Sequence, residues 1–75
     1  MTVQRLTVVG LGLIGGSVAA AAKRAGVRRV RAVDPDLETL GFAVAEGIAD
    51  EALPPEQAVA AGWFARAAAD LIVLG

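Results

Sequence analysis

A chain of 75 residues suffices for one small domain, and at this size only about 60% of the unfolded surface is buried on folding, so the core is modest. Hydrophobic residues make up 56% and mean hydropathy is +0.61, but they come in short runs broken by glycine, proline and charge, against a membrane-spanning helix of roughly 20 apolar residues. A net charge of -1 gives no field for nucleic acid or an anionic membrane, and the absence of cysteine and histidine removes disulfides, thiolate metal ligands, thiol nucleophiles and imidazole chemistry. Residues 6 to 22 imitate a signal peptide, yet glycines punctuate the run and a charged helix end follows. No targeting segment is therefore read, and a cytoplasmic location is expected.

In chain order, Leu6 to Val9 is a nearly continuous apolar run, as expected of a parallel strand covered on both faces. Ile14, Val18, Ala21 and Ala25 then recur at offsets of 4, 3 and 4, which places them on one face of an alanine-rich helix stopped by Gly26. The cations Lys23, Arg24, Arg28, Arg29 and Arg31 gather at and beyond its end, where they offset the helix dipole. Val30 to Val33 reads as a second strand, and its interruption by Arg31 places it nearer a sheet edge. Asp34-Pro35-Asp36 opens a second helix with Leu37, Leu40 and Val44 on one face, closed by Gly47. A short third strand is expected at Glu51 to Leu53, and Pro55 opens a helix reaching Gly62 or beyond. Trp63 and Phe64 read as core plugs, since no basic and aromatic interleaving makes them a stacking platform. Leu71 to Leu74 is a fourth, nearly continuous strand. The alternation of strands and helices predicts an α/β fold with a parallel sheet of Rossmann type, the first βαβαβ(αβ) half of a dinucleotide-binding domain.

Gly10, Gly12 and Gly15 spell GxGxxG where the first strand gives way to the first helix. In a dinucleotide fold the first glycine permits the tight turn, the second lets a pyrophosphate approach the backbone, and the third lets helix and strand pack closely. The phosphates would meet the unpaired N-H groups of Leu13, Ile14 and Gly15 at the helix N-terminus. Asp34 follows Gly15 by 19 residues, near the spacing of the acidic residue that accepts hydrogen bonds from the adenosine ribose. A carboxylate there repels a 2'-phosphate, and no basic residue follows in "DPDLETL", so NAD is favoured over NADP. Two structural readings compete: a glycine-rich turn with no ligand, and Asp34 as cap of the second helix with Pro35 at its first position, the two roles divisible with Asp36.

The stretch "VVGLGLIGGSVAAAAKRAG", continued by "VRAVDPDLETLGFAVAEGIADEA", resembles the N-terminus of prephenate dehydrogenases and their arogenate dehydrogenase relatives, as does the closing "ADLIVLG". The specific part is GLGLIGGS followed by an alanine-rich helix; "LPPEQAVAAGWFARAA" matches poorly. The resemblance implies oxidative decarboxylation of prephenate to 4-hydroxyphenylpyruvate in tyrosine biosynthesis, with hydride passed to NAD or NADP. It implies that Gly10, Gly12, Leu13, Ile14 and Gly15 hold the pyrophosphate and Asp34 the ribose. The family's catalytic histidine and substrate-binding arginines lie beyond the matched stretch, so no catalytic residue, metal ligand or substrate contact is expected within these 75 residues, which alone are expected to be inactive. The chain is expected to be the start of a longer enzyme, ending after the fourth strand, that homodimerises through a helical C-terminal domain. The alternatives are another Rossmann hydroxy-acid dehydrogenase and a non-catalytic NAD-binding module.

Overall fold

The structure is a computed structural model and describes residues 3–75. Strands β1 (Arg5–Val9), β2 (Arg29–Val33), β3 (Glu51–Leu53) and β4 (Leu71–Leu74) alternate with helices α1 (Leu13–Arg24), α2 (Leu37–Ala45) and α3 (Pro55–Ala60). The strands form one sheet in the order β3-β2-β1-β4 with every pairing parallel. This is the order of the first half of a Rossmann-type sheet, in which strand order reverses beside β1.

Side-chain alternation divides the sheet into two faces. Leu6, Val8, Val30 and Ala32 pack with Ala19 of α1 and Ala43 of α2 in one core, while Val33 packs with Ala58 of α3 and Trp63 in another. Alanine at both helix contacts lets α1 and α2 lie close to the strands.

The phase of α1 differs from the periodicity reading by one residue. Gly15 and Ala19 are buried, Val18 and Ala22 pack against the core, and Ile14 is 73% exposed. The cause is Gly15: it must face the end of β1, because a side chain there would run into the Gly10 carbonyl. In α2 the buried residues are Leu40 and Ala43, whereas Leu37 and Val44 face outward, so small Ala43 meets the sheet in place of the larger apolar residues.

β2 is interior, contrary to the expectation from Arg31. The Arg31 guanidinium lies 5.0 Å from the Trp63 ring centroid, and its Nε donates to Glu51 Oε1 at 3.2 Å. An aromatic face and a carboxylate on the neighbouring strand thus accommodate a charge within a covered strand. Trp63 plugs the core as expected, but Phe64 stays exposed, and α3 stops at Ala60 instead of reaching Gly62. The stop is a Schellman turn: Gly62 adopts φ +78°, its N-H donates to Val59 O and the Trp63 N-H donates to Ala58 O, which turns the chain so that the indole enters the core.

β4 is an edge strand, as expected for the fourth strand of this half-sheet, with Leu71, Ile72 and Leu74 exposed. An apolar edge of unpaired backbone groups is a template for further pairing. The isolated 75-residue polypeptide should therefore self-associate with rising concentration in sedimentation equilibrium; a single monomer species up to millimolar protein would contradict this.

Carboxylates clip the opposite end of the sheet, where the strands begin. Asp50 accepts from the Val30 N-H at 2.7 Å and from Lys23 Nζ at 2.8 Å. Asp70 accepts from the N-H groups of Gln4 and Arg5, each at 2.9 Å, and from the Arg5 guanidinium. Partial burial pushes the Asp50 carboxyl up, but Lys23, the Val30 N-H and the Arg29 charge outweigh it and hold the group below its ordinary value. Glu51 is lowered in the same way, burial being outweighed by Arg29 and Arg31, and Asp70 is lowered chiefly by the Gln4 and Arg5 contacts. Groups that are more acidic when folded stabilise the fold at neutral pH, and that contribution is lost as pH falls through the carboxylate range. The melting temperature should accordingly drop on acidification from about pH 5 to pH 3, less steeply in Asp50→Asn. A melting temperature independent of pH over that range would contradict the clips.

Candidate functional site

The C-terminal ends of β1, β2 and β4 converge on the loop that carries the glycines. The Gly10 N-H donates to Val33 O and the Gly75 N-H donates to Val9 O, both at 2.7 Å, so the loop is tied to both neighbouring strands. Gly10 turns the chain at φ +91°, a conformation open to glycine and strained for other residues. A Cβ on Gly15 would collide with the Gly10 carbonyl oxygen and lie 3.4 Å from Val8 Cγ1, so the third glycine is required by helix-to-strand packing. Around Gly12 nothing lies within 4 Å of where a Cβ would stand. No atom of this chain therefore demands a glycine there.

Gly12 is the N-cap of α1, with no side-chain capping bond and no acidic residue in the first turn. Helix geometry leaves the N-H groups of Leu13, Ile14 and Gly15 without intrahelical acceptors. Their partial positive charge, with no acidic side chain in the first turn to occupy them, favours an anion over this end of the helix.

Asp34 stands at the end of β2, part-buried, facing the glycine loop. Its Oδ2 accepts from the Leu11 N-H at 2.8 Å and its Oδ1 from the Asp36 N-H at 2.9 Å. Capping of α2 falls to Asp36, which accepts from the Glu38 N-H at 3.3 Å and from Thr39 Oγ1 at 2.6 Å. The competing reading, Asp34 as cap with Pro35 at the first helical position, is thus overturned: the helix starts two residues later, at Leu37, with Asp36 as its cap. Each oxygen of Asp34 has one backbone donor and retains capacity for another, as a carboxylate facing a diol requires.

Gly10, Gly12, Leu13, Ile14, Gly15 and Asp34 are thereby gathered on one rim. Sequence reasoning missed two members of it. One is the Leu11 N-H, bound to Asp34; the other is Gly75, whose backbone lies against Gly10 and Gly15. A groove of about 370 Å³ between α1 and α2, lined by Gly12, Gly16, Ala20, Phe42 and Ile48 among others, opens beside the rim. Among the described residues no helix is long and apolar enough to cross a membrane, and no cluster of three or more side chains could hold a metal ion.

No family model and no curated protein matches the chain. Among solved structures it is similar to the prephenate dehydrogenase of A. aeolicus, determined in complex with hydroxyphenyl propionate and NAD+, with a TM-score of 0.79 and 28% identity. The match covers 99% of this chain, which spans 24% of that enzyme's chain. The likeness seen in GLGLIGGS therefore extends to the backbone: over nearly its whole length the chain resembles part of a prephenate dehydrogenase.

Proposed function

We propose that the chain is the NAD-binding part of a dehydrogenase, and that the full protein carries out the oxidative decarboxylation of prephenate to 4-hydroxyphenylpyruvate. The observation that supports this most is the open flank of Gly12 at the bare N-terminus of α1, facing the same rim as the Asp34 carboxylate. In this reading Gly10 turns the chain, Gly12 leaves room for the pyrophosphate, and the N-H groups of Leu13, Ile14 and Gly15 donate to it. Asp34 accepts from the ribose hydroxyls, and its charge repels a 2'-phosphate, so NAD is preferred to NADP. The cofactor, when bound, accepts the hydride; this chain binds it and fixes its orientation. The substrate groups and the proton-transfer groups lie outside these residues.

The test is titration of the full protein with NAD and NADP, beside Asp34→Ala. Loss of charge-assisted hydrogen bonds worth about 1.5 to 3 kcal/mol should weaken NAD by roughly 10- to 100-fold and narrow its advantage over NADP. Equal affinities in both proteins for both nucleotides would remove the ribose assignment. Turnover of prephenate against arogenate by the full protein then decides the substrate, and absence of turnover with intact NAD binding would favour a non-catalytic module.

A further inference from the structure

We infer that Gly75, at the end of β4, is a positioning residue for the Asp34 carboxylate, acting through the Gly10–Leu11 peptide unit. This deepens the proposed nucleotide site and rests on that reading for its effect on NAD, but not for its geometry.

The Gly10 carbonyl is wedged between two glycines from different elements. A Cβ on Gly15 would strike it from α1, and a Cβ on Gly75 would lie 2.5 Å from the same oxygen and 3.2 Å from Gly15 Cα. A Cβ on Gly10 would in turn lie 3.2 Å from Gly75 O. The other end of this peptide is the Leu11 N-H, which donates to Asp34 Oδ2 at 2.8 Å. A peptide unit is planar and almost always trans, so its carbonyl and N-H point in opposite directions and move as one body. Whatever displaces the carbonyl tilts the N-H and shifts the hydrogen bond that orients the carboxylate.

Gly10 is further held by its own N-H on Val33 O, and Gly75 by its N-H on Val9 O. Neither backbone can yield freely to an added methyl group. The Gly10–Leu11 plane, which lies between the Gly10 turn and the Gly12 cap, is the part able to rotate. Gly75→Ala should therefore act at a distance on Asp34, although the two residues lie at the ends of different strands.

The experiment compares wild-type full protein with Gly75→Ala, first without nucleotide by amide NMR and then by NAD titration. Without nucleotide, the Leu11 amide resonance should move and its exchange with solvent accelerate. With NAD, affinity should fall by about tenfold or more, and the preference over NADP should shrink as it does in Asp34→Ala. Ile72→Ala, which trims β4 without adding a Cβ at the junction, should leave both readouts unchanged, so a merely structural role for β4 is separable.

Should Gly75→Ala not fold, the coupling is read from its other end: Asp34→Ala should shift the amide resonances of both Leu11 and Gly75. An unchanged Leu11 amide in folded Gly75→Ala, or an unchanged Gly75 amide in Asp34→Ala, would overturn the inference. Because these amides are read in the free protein, failure of NAD to bind would remove the proposed function and leave this coupling standing.

Discussion

Gly15→Ala should lower the melting temperature by more than about 10 °C, while Gly16→Ala, one position along, should raise it slightly. The added methyl at position 15 meets the Gly10 carbonyl, a backbone atom held by the Gly10 turn, the bond to Val33 and the close approach of Gly75. Overpacking against yielding side chains costs about 1 to 3 kcal/mol; here the main chain itself must shift, at the expense of the Leu11 N-H bond to Asp34, so the cost should reach the top of that range or exceed it. A domain of this size has only about 4 to 11 kcal/mol in total at the usual stability per residue, so a large share is lost. At Gly16 the nearest atom to an added Cβ is Leu11 O at 3.7 Å, an ordinary contact. Alanine in a helix interior there gains about 0.5 to 1 kcal/mol over glycine. Thermal melts by circular dichroism of the two variants decide the matter. Equal effects would mean that α1 is rotated from the phase described.

The same steric fact explains why some of this fold could be read from the residues and some could not. β3 at Glu51–Leu53, β4 at Leu71–Leu74 and the opening of α3 at Pro55 were legible because short apolar runs and proline act locally. The phase of α1 was not. Periodicity counts Ile14 as a stronger signal than glycine or alanine, yet it is exposed, and beside Val18 the face that meets the sheet is centred on the least side chain, Gly15 and Ala19. Arg31 misled for a related reason: its charge is matched by Trp63, far along the chain, and by Glu51 on the adjacent strand.

At the candidate site the glycine spacing and the acidic residue after β2 were legible because each sits at a fixed distance along one βαβ unit. Whether Asp34 or Asp36 caps α2 depends on a two-residue difference in where helical dihedrals begin, and two aspartates flanking Pro35 leave that undetermined. The contact of Gly75 with Gly10 was invisible, since it spans the whole chain and exists only once β4 pairs beside β1.

Gly12→Val should separate ligand from fold, which Gly15 cannot do. The valine would replace a glycine that already has extended backbone, φ -63° and ψ -171°, and whose Cβ position has no non-neighbouring atom of the chain within 4 Å. A branched residue accepts such dihedrals, and glycine was providing no capping side chain; the loss in stability should stay within about 1 kcal/mol. The isopropyl group would nevertheless fill the space over the N-H groups of Leu13, Ile14 and Gly15. If a pyrophosphate occupies that space, NAD and ADP-ribose should both lose affinity by about 100-fold or more, because the anion is pushed off donors whose bonds to a charged group are worth about 1.5 to 3 kcal/mol each. Calorimetric titration beside a thermal melt gives both quantities on one sample. A variant that melts like the wild type and binds NAD as tightly would show that the glycine's open flank faces no ligand, and the phosphate seat would have to be sought elsewhere on the rim.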